Sequence, residues 1–274
     1  MPGVTAALDK LASVRALAFD LDGTIYLDGS PLPGALELLS GLEAAGVDYL
    51  LVTNNSSETG AAYARKLGAL GLGEGRERLL TSNDVARSHL LAAGLRRPYL
   101  LATDEVRDEY AASGIEHQED APDSVLLTFD TSLTFDKLAA ATRHIAQGLP
   151  YLASHPDATC PVPGGFLPDT GSFIELLFAA TGRRPQVLGK PHGGMIREIG
   201  ERLGLSGERI GFVGDRLTTD IQMARDAGFV GILTLTGVTG RQAIAESAAK
   251  PDVVVSGMGE LHSLLLRGIL RART

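Results

Sequence analysis

Short apolar runs alternate with amphipathic stretches along most of the 274-residue chain. Apolar runs that end in turn-forming or acidic residues are typical of buried parallel strands, and apolar residues spaced by three and four are typical of helices. The predicted strands are Val14–Phe19, Tyr49–Val52, Tyr99–Leu101, Val125–Phe129, Ile210–Val213, Ile232–Leu235 and Val253–Val255. The clearest predicted helices are Gly34–Ala45, Ser57–Leu70, Asp136–Gln147 and Gly194–Leu203. Alternation of this kind predicts an α/β fold, with a mostly parallel sheet covered by helices on both faces.

Two breaks in the pattern predict a second domain inserted into the first. One is the polar, glycine-rich run Gly71–Asn83, and the other is Gly182–Pro185. The segment between them has strand and helix signals of its own. We therefore predict a discontinuous core of residues 1–82 and 185–274 and an inserted α/β domain of residues 83–184.

Composition narrows the range of partners. Hydrophobic residues make up 44% of the chain, which excludes intrinsic disorder, and the formal net charge is −8. No basic block is present, which argues against nucleic acid as the main partner. Cys160 is the only cysteine, so neither an intrachain disulfide nor a multi-thiolate metal site can form. With no targeting or membrane-spanning segment evident, we expect a cytoplasmic protein that acts on small molecules.

The first chemical signal is a pair of carboxylates at a strand end. The first predicted strand ends in Asp20, Asp22 follows with one residue between, and then comes Gly23. Ligands of open α/β sheets bind beyond the carboxyl ends of strands, where these acids stand. The simpler alternative is a polar Asp-Gly turn, and the pair alone does not decide between them.

The second strand leads into Thr53 and Asn54, just before a predicted helix. Hydroxyl and amide groups beside helix-start N–H groups form anion sites, particularly for phosphate. Taken alone, these residues are explained more simply by plain N-capping of the helix.

Two later strand ends add a cation and more acids. Lys190 follows a short apolar run, and Asp215 ends the strand at 210–213 with Asp220 five residues on. Acids gathered at one sheet edge repel each other unless a cation binds them. Oxygen ligands without cysteine or histidine favour Mg²⁺ over zinc.

The combination DLDGT, LLVTNN, GKP and GDRLTTD, in this order, resembles the haloacid dehalogenase superfamily of phosphohydrolases. Within that superfamily, DGTIYLDGSPLPGA and HPDATCPVPGGFLPDTGSFIELL are similar to the NagD-like branch (subclass IIA), which includes p-nitrophenyl phosphatases. The resemblance implies a Rossmann-like, doubly wound core and a large α/β cap inserted after the second motif. The predicted insertion fits such a cap.

The resemblance also implies roles for the motif residues. Asp20 would be the nucleophile that forms an aspartyl phosphate, and Asp22 would be the general acid and base. Lys190 would neutralise charge on the nucleophile and on the transferring group. Thr53 and Asn54 would hold phosphate oxygens.

Metal ligation follows from the same resemblance. Mg²⁺ would bind Asp20, the backbone carbonyl of Asp22, and Asp215. Asp220 would support the metal shell or the lysine.

One departure from the family pattern bears on the substrate. The cap segment that usually reads Asn-Pro-Asp reads His155-Pro156-Asp157 here. If this loop faces the active site, His155 changes the donors offered to the leaving group. A histidine in a turn with no substrate contact is the competing interpretation.

We therefore expect a Mg²⁺-dependent phosphomonoesterase that acts on a small phosphorylated metabolite. A sugar phosphate, nucleoside monophosphate, phosphoglycolate, glycerol phosphate or pyridoxal phosphate would qualify, and p-nitrophenyl phosphate would serve as an artificial substrate. A phosphomutase shares every core residue and is the nearest alternative. A receiver-type phosphoacceptor is disfavoured by the chain length and by Asp22, which would hasten hydrolysis of the phosphorylated aspartate. The resemblance also allows a homodimer.

Overall fold

Strands and helices alternate along the chain, as the hydrophobic pattern predicted. The computed structural model describes residues 2–73, 75–162 and 164–272. The strands are β1 (Ala16–Asp20), β2 (Tyr26–Leu27), β3 (Ser30–Pro31), β4 (Asp48–Thr53), β5 (Leu79–Thr81), β6 (Pro98–Leu101), β7 (Ser124–Leu127), β8 (Tyr151–Ala153), β9 (Thr159–Val162), β10 (Gly165–Pro168), β11 (Gln186–Val187), β12 (Ile210–Gly214), β13 (Val230–Thr234) and β14 (Val253–Val255). The α-helices are α1 (Pro2–Leu11), α2 (Ala35–Ala45), α3 (Gly60–Ala69), α4 (Ser82–Ala93), α5 (Asp104–Ala112), α6 (Phe135–Ala146), α7 (Thr170–Thr181), α8 (Gly193–Leu203), α9 (Gln222–Ala227), α10 (Arg241–Glu246) and α11 (Met258–Ala272). The predicted α/β class is confirmed.

The chain divides into two compact units. The first contains residues 1–53, 64–80 and 196–274, and the second contains residues 54–63 and 81–195. The predicted insert, 83–184, falls inside the range of the second unit. Its function as a cap stays a prediction.

The first unit is built on a six-stranded sheet of order β14-β13-β12-β1-β4-β5. Strand β1 pairs in parallel with β12 on one side and with β4 on the other. Every residue of β1 is buried although successive side chains point to opposite faces, so both faces of the sheet are covered. Because the strands are parallel, the residues that end β1, β4 and β12 come to the same sheet edge.

The second unit has its own parallel sheet, of order β11-β8-β7-β6. Its core joins the inner sides of these strands to helices α6 and α7, with Val125, Leu127, Ile145 and Leu177 fully buried. Strands β8 and β11 lie next to each other, so the loops that begin with Ser154 and with Leu188 leave the same edge. Strands β9 and β10 form a separate antiparallel hairpin.

The glycine-rich run 71–83 contains more regular structure than its composition suggested. Strand β5 lies inside it, and helix α4 begins at Ser82. Thr81 starts this helix through a capping box, in which its side chain and that of Asp84 each accept from the other's backbone N–H. The sequence pattern Thr-x-x-Asp was the available signal, but the neighbouring glycines obscured it.

Within the described part of the chain, we find no helix that is both long and apolar enough to cross a bilayer.

Candidate active site

Three buried carboxylates meet at the carboxyl edge of the first unit's sheet. Asp20 is the last residue of β1, Asp215 directly follows β12, and Asp220 lies in a π-helical segment, Leu217–Ile221. One oxygen of each carboxylate lies within 4.8 Å of the others. The sequence predicted that Asp20 and Asp215 would converge. It assigned Asp220 a supporting role behind the metal ligands, whereas the structure brings the Asp220 carboxylate into the cluster with Asp20 and Asp215.

Glycines provide the room that these carboxylates occupy. A Cβ at Gly23 would lie 2.8 Å from Oδ2 of Asp215, and one at Gly237 would overlap the same carboxylate. A Cβ at Gly214 would overlap the carboxylate of Asp220. Gly23 also has φ of +82°, a conformation that side chains disfavour. A close cluster of carboxylate oxygens in a backbone cradle fits a hard divalent cation such as Mg²⁺.

The loop after β13 completes the surroundings of Asp215. The backbone N–H of Val238 donates to Oδ2 of Asp215 at 2.6 Å, and Thr236 Oγ1 donates to the carbonyl of Gly23 at 2.6 Å. Sequence reasoning missed this loop. Its signal was a Thr-Gly pair just beyond a buried strand, the same kind of strand end that carries the acids.

The remaining predicted residues of this unit lie at the same sheet edge. Asp22 is exposed to solvent, and its predicted role as general acid and base stays a prediction. Thr24 donates its hydroxyl to Oδ2 of Asp20 at 3.4 Å. Thr53 is the last residue of β4 and is buried.

In the second unit, Asn54 binds the backbone of Lys190 at two points. Its Oδ1 accepts from the N–H of Lys190 at 2.8 Å, and its Nδ2 donates to the carbonyl of Lys190 at 3.1 Å. The same Nδ2 donates to Oδ2 of Asp157 at 3.2 Å. Both hydrogens of the amide are therefore engaged inside the unit. Direct binding of phosphate by this side chain stays a prediction, and its contacts favour a role in shaping the turn that carries Lys190.

His155 lies in the interior of the second unit, with 0% of its surface exposed. Its Nε2 is 3.1 Å from Ser56 Oγ and 3.0 Å from Thr170 Oγ1. Its two ring nitrogens face carboxylates at longer range, Asp157 at 3.7 Å and Asp169 at 3.6 Å. This burial weighs against direct contact with a leaving group and favours an internal role.

The carboxyl of Asp169 has a raised pKa. Its carboxylate caps helix α7 by accepting from the N–H of Thr170 at 2.5 Å. Burial raises the pKa of this carboxyl, and the nearby His155 and the hydrogen bond from Thr170 oppose that rise in pKa.

The two units thus hold different parts of the predicted set. The first holds Asp20, Asp22, Thr53, Asp215 and Asp220, and the second holds Asn54, His155 and Lys190.

Comparisons with known proteins agree with the motifs. Residues 17–116 match a family model described as haloacid dehalogenase-like hydrolase, and residues 187–261 match one for HAD-like hydrolases. The chain is 34% identical to the D-glycerol 3-phosphate phosphatase of Mycobacterium tuberculosis over 254 residues, which cover 90% of this chain and 70% of that protein.

Solved structures give the same result. The 4-nitrophenylphosphatase of Thermotoga maritima superposes with a TM-score of 0.89 at 38% identity, covering 93% of this chain and 98% of that one. NagD from Escherichia coli superposes with a TM-score of 0.84 at 27% identity, covering 90% and 98%. The chain belongs to the haloacid dehalogenase-like hydrolases and is a NagD-like phosphatase of that family, a phosphoric monoester hydrolase.

Proposed function

We propose that the protein is a Mg²⁺-dependent phosphomonoesterase that hydrolyses small phosphorylated metabolites through an aspartyl phosphate. The observation that carries this proposal is the cluster of three buried carboxylates, one of them the motif aspartate Asp20, in a glycine-lined cradle. Phosphoryl transfer needs positioning and neutralisation of charge more than covalent chemistry, and this cluster supplies sites for both.

Asp20 and Asp22 both act in each of the two half-reactions. A carboxylate oxygen of Asp20 forms a bond to phosphorus while the ester P–O bond breaks, and Asp22 gives its proton to the departing oxygen. Asp22 then takes a proton from water as the water oxygen bonds to phosphorus and the Asp20–phosphorus bond breaks. Inorganic phosphate leaves, and both carboxylates return to their starting state.

Asp20 and Asp215, together with the backbone carbonyl of Asp22, would hold Mg²⁺, and Asp220 would support this set or join it. When bound, the cation offsets the negative charge of the carboxylates and of the phosphoryl group. Thr53 would donate its hydroxyl to a phosphate oxygen. Lys190 would add positive charge where negative charge accumulates.

The substrate is proposed only as a class. The names of two relatives, a glycerol phosphate phosphatase and a nitrophenylphosphatase, place glycerol 3-phosphate and p-nitrophenyl phosphate first among the esters to assay. Sugar phosphates, nucleoside monophosphates, phosphoglycolate and pyridoxal phosphate follow. Residence in the cytoplasm and assembly into a homodimer stay predictions from the sequence.

The test is phosphate release from this panel with Mg²⁺ and with EDTA. Wild-type protein should release phosphate only with the metal, and Asp20→Asn should lower the rate by about 10³-fold or more, because it removes the nucleophile. Asp136→Ala, at an exposed position of α6, is the control and should match wild type.

Two results would contradict the proposal. Equal release in EDTA would remove the metal from the mechanism. A stable phosphate on Asp20, detected by mass spectrometry without release from any ester, would favour the phosphomutase or phosphoacceptor alternative.

A further inference from the structure

The turn that carries Lys190 is held by a side chain far away in sequence. Asn54 contacts both the N–H and the carbonyl of Lys190, so the backbone of that one residue is fixed on two sides. Gly189 allows the approach, because a Cβ there would lie 2.7 Å from Asn54 Oδ1 and 2.5 Å from the carbonyl of Ser154. The orientation of the Asn54 amide therefore contributes to the position of the Lys190 backbone.

An amide side chain can rotate by half a turn and exchange its oxygen with its nitrogen, which would break both contacts with Lys190. Asp157 opposes that exchange. An ionised carboxylate only accepts hydrogen bonds, so Oδ2 of Asp157, 3.2 Å from Asn54 Nδ2, is compatible with one orientation of the amide alone. In that orientation the Asn54 oxygen faces the N–H of Lys190.

Asp157 is itself anchored by the structure around it. Its backbone carbonyl accepts from the N–H of Gly171 at 2.8 Å, and a Cβ at Gly171 would overlap the backbone of Pro156. The carbonyl of the next residue, Ala158, accepts from Ser172 Oγ at 2.7 Å. The first turn of helix α7 thus fixes the loop that presents the carboxylate.

We propose that Asp157 is a positioning residue that acts through Asn54 to hold Lys190 in its working place. The inference rests on the proposed function, because Lys190 is needed there for phosphoryl transfer. Asp157 does not touch the reacting atoms in this assignment. Its removal leaves the orientation of the Asn54 amide held by the Lys190 backbone alone and weakens the hold on the 189–191 turn. A displacement of about 1 Å in a catalytic group lowers turnover by about 100-fold.

The experiment compares Asp157→Ala with Asp157→Asn, which keeps an oxygen acceptor. Asp157→Ala should lower kcat by about 10- to 100-fold with KM changed by less than about threefold, and Asp157→Asn should recover to within about threefold of wild type. Asp136→Ala is the matched control in the same unit. In a Lys190→Met background, Asp157→Ala should cause no further loss, because its effect passes through the lysine.

A second measurement does not depend on turnover. Amide hydrogen exchange followed by NMR should show that the Lys190 N–H exchanges at least about tenfold faster in Asp157→Ala than in wild type, with core amides of β7 unchanged. If Asp157→Ala does not fold, Asp157→Ser serves instead, since its side chain is too short to reach Asn54. An inactive wild-type enzyme would refute the proposed function, and the exchange of Lys190 would still decide the positioning role.

Two outcomes would overturn the inference. One is a folded Asp157→Ala protein with wild-type kcat and a protected Lys190 amide. The other is an equal loss of kcat from Asp157→Ala with and without Lys190, which would mean that Asp157 acts by another route.

Discussion

The two buried polar clusters of this protein are built on opposite principles. In the first unit, like charges are gathered, with carboxylate oxygens of Asp20, Asp215 and Asp220 within 4.8 Å of one another. In the second unit, donors are matched with acceptors, as in the hydrogen bonds of Ser56 with Ser154 and with the N–H of Phe129. The first arrangement gains from a cation, whereas in the second the Ser56 hydroxyl already has its hydrogen-bond partners inside the unit. Removal of a polar group should therefore have opposite effects on stability in the two places.

The largest effect is expected from Asp215→Asn. It should lower phosphate release by more than about 100-fold, the upper range for residues that only support metal ligands. In EDTA the same variant should melt higher than wild type, by about 2–4 °C if the relieved repulsion is worth about 1 kcal/mol. The phosphate-release assay with Mg²⁺ measures the loss of activity, and calorimetry in EDTA measures the change in Tm. A lower Tm in EDTA would show that the carboxylates do not repel in the folded protein.

Gly237→Ala tests the backbone cradle instead of the acids. The added methyl overlaps the Asp215 carboxylate, so that side chain must move, at a cost of about 1–3 kcal/mol. Metal affinity should fall by about tenfold or more, measured by fitting the rise in Tm against Mg²⁺ concentration to the logarithmic increase that binding to the folded state produces. Gly240→Ala, where a Cβ meets open space, is the control. Equal affinities in the two variants would refute the cradle.

Ser56→Ala tests the hydrogen-bonded cluster of the second unit. Ser56 is fully buried, and its loss leaves the N–H of Phe129 without its acceptor, so the free energy of unfolding should fall by about 1–3 kcal/mol. Ser57→Ala is the matched control, because that hydroxyl bonds Asn55 in a half-buried place, and it should change stability by less than about 0.5 kcal/mol. Urea unfolding gives both values. Similar losses in both variants would contradict the comparison.

The smallest effect concerns Asp169 and pH. Burial raises the pKa of its carboxyl in the folded state, so the folded protein binds the proton more tightly than the unfolded chain does. Stability from this group is therefore present at low pH and is lost as pH rises from the unfolded pKa through the raised one. Asp169→Asn keeps the helix cap and should remove this loss, so the variant should become more stable relative to wild type as pH increases. Urea midpoints that change in parallel for the two proteins between pH 4 and 7 would contradict the prediction.

The sequence predicted best where chemistry coincides with a strand end. The sequence placed Asp20 and Asp215 close together because each follows a short apolar run typical of a buried parallel strand. Parallel neighbouring strands end at one edge of the sheet. Strand β8 was not predicted, since three residues between the Gly148-Leu149-Pro150 segment and a polar loop carry little periodicity. The parallel partners of β8 give it a place in the sheet.

Contacts that depend on tertiary packing could not be predicted. Asn54 and Asp157 are 103 residues apart, and neither the Asn-Asn pair nor the Pro-Asp pair indicates a partner. Gly237 is another example, because its lack of a side chain matters only once Asp215 is placed beside it. For His155, the sequence left an active-site loop and an internal turn equally open, and its complete burial favours the second.

The double contact between Asn54 and Lys190 has a consequence for entropy. Fixing the backbone of one residue costs about 1–2 kcal/mol of conformational freedom. Here the chain loses that freedom when it folds, so a ligand that meets the turn encounters a backbone already ordered. If the substrate binds Lys190 as proposed, the binding step has less disorder to remove, and an interaction that never touches the ligand improves its affinity.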